Sequence, residues 1–219
     1  MDEGRPGDIW QLRGGEQPAL VKKRRERSIA FQPVAQPDGP TYGIGSGDWG
    51  NTLQRFREDL ETIFAGDTAH VYVPETEVYL LEIAGNEYKA SGKGWVAWRT
   101  GQPPTWEFAD HGLFFDPSSE WNLDGELLYR PFAMLHDGEL VIDSQGRHWT
   151  FTAPFWWLDG EGRRGSPAWP LTLAAHFPLP NDGHRTAQLN NTSEEHEMAE
   201  WAKRSGVAPE VFDLELPDW

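Results

Sequence analysis

Tryptophans that stand beside carboxylates are the residues of this chain best suited to chemistry. In the stretch WWLDGEG, Trp156 and Trp157 are followed closely by Asp159 and Glu161. Tryptophan faces bind sugar rings and other amphipathic ligands and also anchor protein interfaces. Two carboxylates that flank a cleft can act as general acid and general base. The predicted binding residues are Trp156, Trp157, Asp159, Glu161, Trp106 and Glu107.

The two consecutive tryptophans cannot share one face of a flat strand. Neighbouring strand residues point to opposite sides. One of Trp156 and Trp157 is therefore expected in a core, and the other on the second face, against another segment, a partner or a ligand. Residues 159–166 contain no apolar side chain, so this loop is expected to reach solvent.

The charge of the chain narrows the class of partner. The 19 lysines and arginines and 35 aspartates and glutamates give a formal net charge of −16 at pH 7. Such a surface repels phosphate backbones and anionic membranes and attracts basic proteins. We therefore expect no nucleic acid, no membrane and a basic protein partner. The exception is the run KKRRER at residues 22–27, interpreted as a solvated edge or a cover for acidic surface, or else as a contact for phosphate or a partner.

The sequence lacks the motifs of several other kinds of functional site. The chain has no cysteine, which excludes disulfides, thiolate nucleophiles and thiolate zinc sites. Its seven histidines show no metal-binding spacing, and no G-x-S-x-G elbow occurs. The glycines of residues 45–50 follow the G-x-G-x-x-G pattern, but Asp48 would lie inside the phosphate cradle and no suitable strand precedes it. No metal, no cofactor and no bound nucleotide are predicted.

An apolar stripe after this glycine-rich loop predicts a long helix. Leu53, Phe56, Leu60 and Ile63 recur at helical spacing over residues 52–65. Asparagine just before them and glycine just after them are typical helix boundaries.

A second helix is predicted near the C-terminus. Thr192 and Glu195 have the spacing of a capping box, Met198 and Trp201 supply an apolar face, and Gly206 is placed to end the helix. The following segment up to residue 216 is too acidic to read DNA, although its spacing imitates a helix-turn-helix.

The middle of the chain predicts antiparallel strands. Short β-branched and aromatic runs between residues 69 and 177 are joined by connections too short for parallel crossovers. The expected fold class is α+β: an antiparallel, strongly twisted sheet or partly closed barrel of about seven to nine strands. One long helix follows the glycine-rich loop and the second helix lies near the C-terminus.

The expected organisation is an N-terminal segment and one domain. Residues 1–27 lack a clear hydrophobic period, and the sequence leaves open whether they are ordered. Residues 28–219 are expected to form a single α+β domain. Because no secretory signal is visible and no apolar run approaches the length of a membrane span, a soluble, cytoplasmic protein is expected.

Two hypotheses for function follow from these observations. The first is an acidic soluble binding protein that engages a basic macromolecular partner, as a toxin-neutralising, immunity-type protein or an accessory subunit. The alternative is a carbohydrate- or small-molecule-handling β-domain, in which paired carboxylates beside tryptophans would serve an enzyme. The sequence does not decide whether the protein is an enzyme.

Overall fold

Two antiparallel sheets and one α-helix form the fold. A computed structural model describes residues 4–25, 28–38, 41–45, 55–59, 61–82, 95–104, 113–115, 123–174, 188–189 and 193–213. Within these ranges the chain forms fourteen strands, helix α1 and one 3-10 helix.

The first sheet is built on two long strands that lie side by side, β1 and β5. Its hydrogen-bonded order is β3-β2-β1-β5-β6-β7, with β4 also pairing with β5 and β8 also pairing with β1. The strands are β1 (Ile9–Arg25), β2 (Ser28–Pro33), β3 (Tyr42–Gly45), β4 (Arg55–Phe56), β5 (Thr68–Glu82), β6 (Trp95–Arg99), β7 (Leu113–Phe115) and β8 (Leu123–Tyr129).

Irregular pairing divides β1 into two parts. Its register with β5 shifts between Leu12 and Gly14 and again between Gly14 and Gln17. The first part pairs with β8 and the second part with β2, along the same edge of β1. Bulges of this kind bend a strand and increase its twist. One face of the bent sheet buries an apolar cluster: Trp10, Leu12, Ala19, Phe31, Val71, Val73, Val78, Leu80 and Ala97.

The second sheet is a meander of short strands. Its order is β12-β11-β10-β9-β13-β14. The strands are β9 (Leu140–Ile142), β10 (His148–Thr152), β11 (Trp156–Leu158), β12 (Arg164–Gly165), β13 (Leu171–Leu173) and β14 (Gln188–Leu189).

Helix α1 (Glu194–Ser205) closes the main aromatic core. The Ser193 side chain accepts a hydrogen bond from the His196 amide, and Gly206 ends the helix in the left-handed conformation. Trp201 is fully buried and donates its indole N–H to the Gly7 carbonyl at 2.8 Å. A 3-10 helix (Pro209–Asp213) follows. The main core therefore joins the first sheet, the second sheet and α1.

The predicted C-terminal helix and the antiparallel sheet are confirmed. The helix begins one residue later than the capping box implied, because the observed N-cap is Ser193. The first sheet has eight strands, in line with the expected number, but neither sheet closes on itself and a barrel is not confirmed.

The predicted long helix over residues 52–65 is wrong. Arg55 and Phe56 form β4, and the described residues from 57 to 66 are bends and turns. The half-buried Phe56 ring packs edge-on against Phe31, with centroids 5.7 Å apart, and Ile63 is buried. Phe56 and Ile63 thus reach the core from a short strand and a turn, so their spacing satisfied the helical period without a helix. Leu53 and Leu60 lie outside the described residues.

The N-terminal segment contributes a long, central strand of the first sheet. Residues 9–25 form β1, which pairs with three strands of the later part of the chain. The division of the chain at residue 27 stays a prediction.

Candidate functional site

The two adjacent tryptophans of β11 have different environments. Trp157 is fully buried and lies edge-on to Phe132 and Trp169, at centroid distances of 5.5 and 6.0 Å. Trp156 is half-buried, with the Arg164 guanidinium over its ring and Phe155 at its edge. Of this pair, only Trp156 retains surface that a partner could reach.

The carboxylates after Trp157 belong to a tight turn. Oδ1 of Asp159 accepts hydrogen bonds from the amides of Glu161 and Arg163, both at 2.9 Å, and Oδ2 accepts one from Nε of Arg163 at 3.0 Å. Hydrogen bonding by the Arg163 amide lowers the pKa of Asp159. Glu161 also pairs with Arg163, at 2.9 Å. Both predicted rim charges therefore share one arginine of their own loop.

The same turn occurs a second time, sixteen residues earlier. The sequences DSQGR (143–147) and DGEGR (159–163) share the pattern D-x-x-G-R. In the earlier copy, Oδ1 of Asp143 accepts from the amides of Gln145 and Arg147 at 2.9 Å, and Oδ2 accepts from Nε of Arg147 at 2.8 Å. The glycines, Gly146 and Gly162, have φ of +80° and +77°, which glycine adopts readily. Sequence reasoning missed this repeat, although the recurrence of D-x-x-G-R in the sequence could have revealed it.

The carboxylate of the earlier turn is buried, whereas that of the later turn is partly exposed. The Asp143 carboxylate accepts two further hydrogen bonds, from the Trp149 indole at 3.1 Å and from the Ala168 amide at 3.2 Å. Burial alone would raise its pKa, but the hydrogen bonds, led by those from the Arg147 and Ala168 amides, hold the pKa of Asp143 well below its usual range. This motif closes hairpins, and we assign Asp159 the same structural role.

A second buried carboxylate anchors the N-terminal segment. Asp8 is fully buried and accepts two hydrogen bonds from Arg130, at 2.8 and 2.7 Å. Arg5 donates to the carbonyls of Pro131, Phe132 and Leu135, and burial lowers its pKa to about 10. These bonds tie residues 5–8 to the turn before the second sheet.

An exposed group of carboxylates lies on the first sheet, across β8, β1 and β5. Glu77 and Glu126 stand directly opposite Gln11 on its two neighbouring strands, and Asp124 stands opposite Arg13. Glu75 accepts a hydrogen bond from Nε2 of Gln11 at 2.5 Å. We call this group the acidic face: Glu75, Glu77, Asp124 and Glu126, around Gln11 and Arg13. All four carboxylates are exposed.

The acidic face is only partly neutralised. Arg13 lies 3.4 Å from Asp124, and within the described ranges Glu77 and Glu126 form no ion pair. Residues opposite one another on adjacent strands have Cβ atoms about 5 Å apart, so the four carboxylates lie close together. Sequence reasoning missed this group, although acids two residues apart in ETE (75–77) and DGE (124–126) indicate one face of a strand.

No protein-family model, curated protein or solved structure matches this chain. Its function must therefore be inferred from the geometry of the chain itself.

The remaining candidate positions are less informative. Trp106 and Glu107 lie outside the described residues. In the part of the chain that the structure describes, no three histidine, aspartate or glutamate side chains come together to hold a metal ion. The helix within these ranges is too short and too polar to cross a membrane.

Proposed function

We propose that the chain is an acidic binding protein that engages a basic macromolecular partner through the acidic face. The observation that supports this proposal is the clustering of four exposed carboxylates on the two strands that flank β1, with one arginine of β1 among them. A partner of the kind neutralised by an immunity-type protein, or held by an accessory subunit, would present lysine and arginine side chains to these carboxylates.

A paired sheet surface is well suited to this role. Each carboxylate of the acidic face is carried by a strand paired with β1, so binding does not require the backbone to become ordered. Two carboxylates 10 Å apart repel one another in water by about 0.4 kcal/mol, a cost that the fold tolerates and that a cationic partner would relieve.

The loop after Trp157 is a weaker candidate for the same partner. Asp159 and Glu161 are already paired with Arg163, and Trp157 is inaccessible. A partner would have to displace an arginine held by two carboxylates to use these charges. Trp156 could still contribute as a half-buried aromatic anchor at that surface.

The alternative is a carbohydrate- or small-molecule-handling β-domain. Only some of the tryptophans and carboxylates predicted for its binding site remain available to a ligand. Trp157 and Asp159 serve the core and a turn in the structure, and Trp106 and Glu107 lie outside the described residues. Within the described ranges, no observation favours it over the binding protein.

A matched pair of variants tests the proposal. The face variant carries Glu75→Gln, Glu77→Gln, Asp124→Asn and Glu126→Gln. The control variant neutralises four exposed carboxylates elsewhere and so has the same net charge: Asp38→Asn, Glu61→Gln, Glu195→Gln and Glu210→Gln. Each variant is titrated with a decalysine peptide by calorimetry at low ionic strength.

The face variant should bind decalysine about tenfold more weakly than the control variant. Exposed charge pairs contribute up to about 1 kcal/mol each, and a tenfold loss corresponds to about 1.4 kcal/mol. Equal affinities of the two variants would show that only net charge matters and would refute a localised site.

A further inference from the structure

The cationic run predicted from the sequence forms an exposed group at the far end of β1, where neighbouring residues point to opposite faces of the strand. We call this group the basic edge: Lys22, Lys23, Arg24 and Arg25. All four side chains are exposed, whereas the preceding Val21 is buried. Within the described residues, Lys22, Lys23 and Arg25 form no ion pair.

An exposed aromatic ring lies beside the basic edge. Phe64 is 63 % exposed, and the Arg24 guanidinium lies 5.8 Å from the centre of its ring. Arg24 also donates to the carbonyls of Glu61, at 3.1 Å, and Ile63, at 2.5 Å. These contacts hold an arginine and a phenylalanine together on the surface, a combination enriched in protein interfaces.

The loop that carries Phe64 is attached to the strand that carries the cations. The Gly66 amide donates to the Val21 carbonyl, and the Val21 amide donates to the Asp67 carbonyl, both at 2.8 Å. The phenylalanine and the cations are therefore presented by one backbone framework rather than by independent segments.

The two charged surfaces of β1 are too far apart to neutralise each other within one molecule. Lys23, in the basic edge, lies twelve positions after Gln11, in the acidic face. At about 3.3 Å per residue the strand between them is up to about 40 Å long. The screening length at physiological ionic strength is about 8 Å, far shorter than this extended length.

We propose that the basic edge and Phe64 dock on the acidic face of a second copy of this chain. Charge complementarity favours this occupant, because the exposed cations at the end of β1 match the exposed carboxylates of the acidic face in sign and number. The exposed phenylalanine supplies apolar area that charge alone does not. This inference shares the acidic face with the proposed function but does not depend on it.

Two-fold symmetry would satisfy both surfaces of each molecule at once. In a symmetric dimer, each acidic face receives the partner's basic edge, so every contact occurs twice and the assembly closes. Such a dimer covers the acidic face, and a basic macromolecular partner would then compete with the second copy for the same carboxylates.

The test uses complementary charge reversals and sedimentation velocity. One variant carries Lys22→Glu and Lys23→Glu, and the other carries Glu75→Lys and Glu77→Lys. Each variant alone has two surfaces of like charge and should remain monomeric. An equimolar mixture restores complementarity at both contacts of a dimer and should associate as the unaltered protein does.

Salt dependence gives a second readout that needs no variant. The unaltered protein should sediment as a dimer at about 20 mM salt and shift towards monomer at about 500 mM, where the screening length falls below about 5 Å. The inference is overturned if the protein is monomeric at low salt at all concentrations reached. It is also overturned if either variant alone dimerises like the unaltered protein, or if the mixture stays monomeric.

These outcomes are separable from those for the proposed function. A protein that is monomeric at low salt, but whose face variant still loses decalysine binding relative to the control variant, would refute the second copy and support a basic partner. A protein that dimerises at low salt, but whose face and control variants bind decalysine equally at a concentration where both are monomeric, would refute the basic partner and retain the dimer.

Discussion

The two copies of the D-x-x-G-R turn allow one interaction to be measured against a near-identical reference. Replacing Asp143 or Asp159 with asparagine makes the same chemical change in the same turn. The copies differ in what surrounds Oδ2: solvent and Arg163 at Asp159, but Arg147, the Trp149 indole and the Ala168 amide at Asp143. The comparison therefore isolates the effect of burying the carboxylate.

The magnitude follows from the number of donors left without an acceptor. An asparagine amide has one oxygen, which can serve either the two amides at Oδ1 or the three donors at Oδ2 of Asp143. Whichever orientation it takes, its NH₂ group faces at least two N–H groups. Each buried donor left unsatisfied costs about 1–3 kcal/mol, so Asp143→Asn should destabilise the protein by about 3–5 kcal/mol. The loss at Asp159 should be clearly smaller, because water can replace the missing acceptor.

The pH dependence of stability provides an independent check. The pKa of Asp143 is lower in the folded protein than in the unfolded chain, so its stabilising effect is present above the unfolded pKa of about 3.9. That effect is lost as pH falls through the folded value. The free energy of unfolding should therefore decline below about pH 4 in the unaltered protein, and less steeply in Asp143→Asn.

Urea unfolding followed by tryptophan fluorescence measures both effects. Experiments at about pH 7 give the difference in the free energy of unfolding between the two variants. A series of measurements towards about pH 3 gives the decline of that free energy in acid. Equal losses of unfolding free energy for Asp143→Asn and Asp159→Asn would refute the reasoning. So would a decline of stability in acid that is the same in Asp143→Asn as in the unaltered protein.

Three further predictions concern the backbone, the core and the surface. Gly7 has φ of +83° and an added Cβ would lie 2.5 Å from Cβ of Pro154, whereas Gly138 has φ of +81° with nothing within 4 Å. Gly7→Ala should therefore cost at least about 2 kcal/mol more than Gly138→Ala in thermal or urea unfolding, and equal costs would contradict the predicted overlap. Phe56→Ala should cost about 2 kcal/mol, less than a fully buried phenylalanine, because its ring is half-buried against Phe31; a loss below about 0.5 kcal/mol would remove Phe56 from the core. The association rate of decalysine with the unaltered protein, measured by stopped flow, should fall steeply between about 20 and 150 mM salt while dissociation changes less, and a flat association rate would rule out steering by the acidic face.

The parts of the fold that were predicted correctly have local causes. The C-terminal helix carries its own boundary signals, since a serine accepts from the His196 amide and Gly206 adopts φ of +68°. Short connections similarly excluded parallel pairing before any strand partner was known. The helix predicted over residues 52–65 failed because its period came from a few apolar residues, and a short strand and a turn can bury Phe56 and Ile63 equally well.

The candidate site was harder to predict because it depends on partners remote in the chain. The acidic face joins residues 75–77 to residues 124–126 only because both segments pair with the first part of β1. The Trp157 and Asp159 pair looked like a binding rim because aromatic and acidic residues adjoin in both cores and sites. Burial distinguishes these roles, and burial is not a local property.

By itself, the sequence determined the sign of the surface charge, the antiparallel pairing, the C-terminal helix and the opposite orientations expected of Trp156 and Trp157. Each depends on composition, on the length of a connection, or on the geometry of neighbouring residues. Only the tertiary structure decided which tryptophan is buried, which of two identical turns encloses its carboxylate, and which acids meet on one face. Those outcomes depend on the packing of segments tens of residues apart. Burial by such remote segments cannot be predicted from the residues that are neighbours in the sequence.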